Sequence, residues 1–178
     1  MEKFIYPELK LDNNSKIIQY YNNIAYKYVD LDELLSENII NHYGISGLNF
    51  IDEKILRTIV DIREYFKLPI HINNWKYFRD KNIKANSSQI MNERIVRFPD
   101  SEVYSVNSRH SVWIKDNIIT KQSDACDFTI KDMESEKVRN EIRKNKDKEP
   151  FKNINAIEKN VGWIHIDLRS VKNRIFEF

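Results

Sequence analysis

Residues 161–169 read VGWIHIDLR, and this stretch decides how the chain is to be folded. Apolar and polar residues alternate through it, the two-residue period of a strand whose side chains point to opposite faces. Ile164, Ile166 and Leu168 then enter a core, while Trp163, His165 and Asp167 share the other face. Residues 125–130, ACDFTI, repeat the pattern, with Asp127 and Thr129 on one face and Cys126, Phe128 and Ile130 on the other. His110 lies in 105–114, SVNSRHSVWI, which is also strand-like. If the three strands lie in one sheet, His110, Asp127 and His165 converge. Two imidazoles and a carboxylate suit a catalytic zinc ion and leave a position for water, whose pKa zinc lowers to about 7. The competing reading is plainer: a strand histidine is often a satisfied structural residue, and a strand aspartate an edge charge.

Around these strands the predicted elements are helical first and extended later. Residues 1–14 read as an arm. Helices are expected over 15–29, with Ser15 as N-cap, over 31–43, ending at Gly44, and over 51–67, ended by Pro69. Ile51, Ile55, Ile59, Ile62 and Phe66 give the last of these an apolar stripe. A short strand follows at 69–73 and a long surface loop at 74–100. A hairpin is expected where 112–114 and 118–120 flank Lys115, Asp116 and Asn117. An amphipathic helix follows over 133–146, with Asp132 as its cap. Two strands, 153–158 and 161–169, are joined at Lys159 and Asn160, and 174–178 forms a terminal strand. The predicted fold class is α+β, a helical N-terminal half packed on a small, mostly antiparallel sheet that carries the metal site.

Composition narrows the function classes. The 178 residues suit one compact unit, and 29 basic against 27 acidic residues leave a net charge of +2, which gives no field for nucleic acid. Cys126 is the one cysteine, so neither an intrachain disulfide nor a cysteine-rich zinc site is available, and it reads as a small core residue. Three glycines exclude a glycine-rich phosphate loop. No run is long and apolar enough to span a membrane, and residues 1–10, MEKFIYPELK, lack a signal-peptide core. The expectation is a product made in the cytoplasm, acting at the cell wall after release or as a virion component.

Several motifs occur in a telling order: Ser108-Arg109-His110, then Ala125-Cys126-Asp127-Phe128, then Trp163-Ile164-His165-Ile166-Asp167. This set resembles the zinc signature of the hedgehog/DD-peptidase fold, the D-Ala-D-Ala carboxypeptidase type. Residues 70–75 (IHINNW), 94–97 (RIVR), 136–142 (EKVRNEI) and 155–158 (NAIE) resemble further elements of phage-encoded members, so the similarity covers about 43–178 and leaves 1–42 as N-terminal arm and helices. The resemblance implies Zn²⁺ held by His110, Asp127 and His165, and cleavage of peptidoglycan stem peptides. It implies a carboxylate near the last histidine as general base. Gly162 stands where many members have that acid. Glu158 is the first candidate and Asp167 the second, the latter otherwise a hydrogen-bond partner of His165. Arg94 or Arg97 would fork a substrate carboxylate, ordinary surface ion pairing being the alternative. His110 and Asp127 stand seventeen positions apart, more than the family's usual spacing, and the hairpin accounts for the excess. A second reading is a catalytically inactive phage structural or binding protein that keeps the peptidase fold. A third is docking of 1–42, with Tyr20, Tyr21, Tyr26 and Tyr28, onto a virion or assembly partner.

Overall fold

The computed structural model describes residues 8–35, 37–72, 95–96, 109–110, 112–171 and 175–178. The fold is α+β: helices dominate the first third, and a mostly antiparallel sheet follows. Among the described residues the helices are α1 (Lys16–Asn23), α2 (Leu31–Leu34), α3 (Glu37–Tyr43), α4 (Glu53–Phe66) and α5 (Ser135–Lys144). The strands are β1 (Ile70–Ile72), β2 (Ile95–Val96), β3 (Val112–Lys115), β4 (Ile118–Lys121), β5 (Ala125–Ile130), β6 (Ala156–Ile157), β7 (Ile164–Asp167) and β8 (Phe176–Glu177).

The two expected N-terminal helices are each broken. The first stops at Asn23, and Ala25–Lys27 form a 3₁₀ turn that lets Ala25 and Val29 bury beside Ile17, Ile18, Tyr20 and Tyr21. Asparagine is a weak helix former, and two of them end α1. Tyr20 and Tyr21 are thus core residues, whereas Tyr26 is exposed. The second breaks at Leu35, whose backbone is extended, so that Leu34 and Leu35 both bury. Asp30 and Glu33 close a capping box at the start of α2. Gly44, with φ of +57°, follows the end of α3 in the left-handed region, as glycine allows.

Helix α4 is the mainstay of the core. The Asp52 side chain accepts from Lys54 N–H (2.8 Å) to start it, and Lys67 in the left-handed conformation ends it two residues before Pro69. Its buried face presents Ile55, Leu56, Ile59, Val60 and Ile62. One core runs through these residues, α1, Phe128, Val138, Ile142, Phe151, Ile164 and Ile166. In α5 the N-cap is Glu134, and Asp132 instead adopts a positive φ in the turn after β5.

The main sheet has the order β1-β5-β7-β6-β8, antiparallel except between β6 and β8. A second sheet has the order β2-β3-β4. Its β3–β4 hairpin turns at Asp116 and Asn117, both at positive φ, as a tight hairpin turn of this hand requires. Among the described residues no helix is long and apolar enough to cross a membrane.

Candidate metal centre

Burial separates the two faces of β7. Ile164 and Ile166 are fully buried in the core, and His165 and Asp167 alternate to the other face. On β5, Asp127 sits directly opposite His165 in the register, so the two side chains meet on one face. Asp127 Oδ1 lies 2.6 Å from His165 Nδ1.

His110 joins them from elsewhere. The expectation of three strands in one sheet does not hold: His110 lies in a turn just before β3, and β3 belongs to the second sheet. The hairpin carries the chain out and back, and Asp124 N–H then donates to Arg109 C=O (3.1 Å). An ion pair between the Arg109 and Asp124 side chains closes the same base. The residues between His110 and Asp127 are thereby absorbed, and His110 Nε2 comes within 3.5 Å of Asp127 Oδ2. The two imidazoles meet edge to face with centroids 5.0 Å apart.

One donor atom each from His110, Asp127 and His165 lies within 4.8 Å of the others. This is a possible metal-binding triad. With zinc–ligand bonds of about 2.0–2.2 Å, tetrahedral donors stand roughly 3.3 Å apart, so an ion would part the 2.6 Å contact between Asp127 Oδ1 and His165 Nδ1 and re-space the three donors. Both histidines are 6% exposed, so the donors are held in place rather than swinging in solvent. The donor set of two nitrogens and a carboxylate fits zinc, with His165 using Nδ1, since its Nε2 faces Asp167 Oδ2 at 3.2 Å.

Electrostatics bind the cluster tightly. Burial alone would lower the His165 pKa, but hydrogen bonds and charge from Asp127 and Asp167 overcome it and lift it to about 9. Burial pushes the Asp127 carboxyl up, and the two histidines more than reverse this, leaving it below the usual range. Asp167 is fully buried; against that burial, His165 and Arg169 bring it down to about 2. Arg169 reaches both Asp167 oxygens through Nε (2.9 and 2.8 Å) and adds its backbone N–H (3.0 Å). Asp167 thus faces His165 Nε2 on one side and Arg169 on the other.

Glu158 extends β6 by one residue: its N–H donates to His165 C=O (3.4 Å). The register sets it opposite His165 on one side and Phe178 on the other, so Asp127, His165, Glu158 and Phe178 form a row across one face. The Glu158 carboxylate makes no hydrogen bond or ion pair with the triad among the described residues. Arg94 and Arg97 lie outside the described residues, as do Ser108, most of the long loop and Arg174. His71 pairs with Thr129 and stands on the same sheet face one row further on.

Sequence reasoning missed the supports. Helix α5 clamps the approach to β7: Arg139, 4% exposed, donates to Trp163 C=O (2.8 Å) and Val161 C=O (3.1 Å), and Ser135 Oγ donates to Gly162 C=O (2.7 Å). Arg143 of the same helix binds Glu177 of β8 (2.8 Å). Half-buried Lys121 is lowered to about 8 by burial and then by Arg109, with Asp167 opposing. The i, i+3 spacing of Glu136 and Arg139 on an amphipathic helix was the one local hint of the clamp. The partnership of Arg169 and Phe178 depends on strand order and had no local signal. Searches against protein families, curated proteins and solved structures return no match to this chain.

Proposed function

We propose that this chain is a zinc-dependent peptidase of the hedgehog/DD-peptidase fold that cleaves peptidoglycan stem peptides, of D-Ala-D-Ala carboxypeptidase or endopeptidase type. The observation that carries the reading is the meeting of Asp127 and His165 on one sheet face with His110 brought in from the turn before β3, and with a carboxylate, Glu158, next in the row of Asp127 and His165. His110 Nε2, an Asp127 oxygen and His165 Nδ1 would hold the ion. Zinc, when bound, supplies Lewis acidity toward an amide carbonyl and acidifies a water to near neutral pH. Asp167, locked by Arg169, accepts from His165 Nε2 and fixes which imidazole nitrogen faces the ion. Glu158 takes a proton from the attacking water at its carboxylate and passes it to the leaving amine. Arg94 or Arg97 is assigned the substrate carboxylate.

The test joins metal content to turnover. Purified protein should hold about one zinc per chain and release D-alanine or cleaved stems from peptidoglycan fragments. His165→Ala should lose metal and turnover together. Glu158→Gln should keep metal and lose turnover; undiminished turnover would remove Glu158 as the base. Absence of metal after zinc is supplied would sink the peptidase reading. A second reading, an inactive binding protein that keeps the fold, has its own support in Gly162, which stands where the resemblance expects an acid, and in the long spacing between His110 and Asp127. It predicts zinc without turnover on any stem peptide.

A further inference from the structure

Two exposed aromatic rings stand beside the triad. The Phe178 ring meets the His165 imidazole edge to face at 5.5 Å, and Phe176 lies nearly parallel to Phe178, with centroids 6.1 Å apart and planes 19° apart. They remain 41% and 47% exposed, among the few large apolar side chains so exposed. Besides covering His165, which is 6% exposed, the pair turns a hydrocarbon surface to solvent next to the triad.

The pair is also firmly held. Phe178 N–H donates to Ile157 C=O (3.4 Å), and its own C=O accepts from Lys159 N–H (3.0 Å). Glu177, between them in sequence, is tied to Arg143. The Arg169 guanidinium lies 4.4 Å from the Phe178 ring and 5.9 Å from Phe176 while bonded to Asp167. That guanidinium directs its Nε and Nη2 donors to the Asp167 carboxylate, which offsets its charge, and the rings supply the hydrocarbon of the wall. Ala156 and Ala125 flank Asp167 in the neighbouring row, where all three are buried, so the exposed apolar surface is that of the two rings.

We propose that Phe178 and Phe176 form the wall of a substrate subsite that takes a small apolar side chain borne next to the cleaved amide, Phe178 being the specificity-determining residue. This rests on the peptidase reading, because the triad sets where the amide must lie. A group bound at the triad on the β8 side meets the Phe178 ring before any other side chain of the row except Glu158. Rigid apolar walls of this kind discriminate by one or two carbons, on the order of tenfold per methyl.

The probes are acetyl-D-Ala-D-Ala and acetyl-Gly-Gly, titrated calorimetrically against zinc-loaded protein, with turnover measured in parallel. Wild type should prefer the alanyl peptide by about tenfold, and Phe178→Ala should reduce this to roughly twofold. Phe178→Leu should recover part of the preference. If Phe178→Ala loses zinc, Phe176→Ala, which does not touch His165, should weaken the preference with the metal in place. An alanyl preference that survives both alanine variants, or no preference in wild type, overturns the proposal. Loss of preference without turnover by wild type would keep the subsite and reject the peptidase; turnover with an undisturbed preference would do the reverse.

Discussion

His165 stands between two carboxylates, Asp127 and Asp167, which favour its protonated form when no metal is bound. Its pKa of about 9 lies above the ~6.5 of an exposed imidazole, so folding favours the proton. That stabilisation is complete below about pH 6.5 and is lost as pH rises toward 9. Asp167 acts in the opposite sense: its depressed pKa stabilises the fold above about pH 4 and is lost as pH falls through about 2. The melting temperature of protein stripped by EDTA should therefore fall between pH 6.5 and 9, and His165→Gln should flatten the slope. A wild-type melting temperature level over that range would refute the assignment. Saturating zinc should reverse the trend, because a ligating imidazole must be neutral. Asp167→Asn keeps the shape but weakens the hold on His165. It should lower zinc affinity about 10–100-fold in a chelator competition, an effect not expected of Glu158→Gln.

Among the elements, α5 decides how well β7 is presented. Arg139 is a buried cation whose Nη donors go to two carbonyls of the loop ahead of His165, while its Nε donates to Glu136. Arg139→Met would leave those carbonyls short of partners and should cost about 2–4 kcal/mol in denaturant unfolding. It should also weaken zinc binding; unchanged affinity with lowered stability would show that α5 supports the fold but not the centre. Strands β5 and β7, helix α4 and the Asp116–Asn117 turn were legible in the sequence, since period, burial and turn chemistry are local properties. The breaks at Ile24 and Leu35 were not: the weak helix propensity of Asn22 and Asn23 was outweighed by the apolar period around them, and at Leu35 the burial of two successive leucines overrides helical continuity. The sheet to which His110's segment belongs was likewise hidden. The hydrophobic pattern says which face of a strand is buried, not which strand lies next to it.

At the scale of the whole molecule, the same distinction separates the triad from its surroundings. His110, Asp127 and His165 could be picked out by residue type and strand phase. Arg169, Phe178 and the Arg109–Asp124 base are gathered by strand order, which is nonlocal. The triad also draws on both sheets: Asp127 and His165 belong to the five-stranded one, and His110 to the segment that opens the hairpin. A divalent ion there would act as a rivet across a seam, and the free energy of coordination would become resistance to parting of the two sheets. Hydrogen–deuterium exchange should register it at a distance. On adding zinc, amides of residues 112–121 should slow markedly, while those of α4, already deep in the core, change little. Equal slowing everywhere would mean that the ion raises global stability alone. Slowing confined to the hairpin would mean that zinc governs how often this small sheet swings away from the large one.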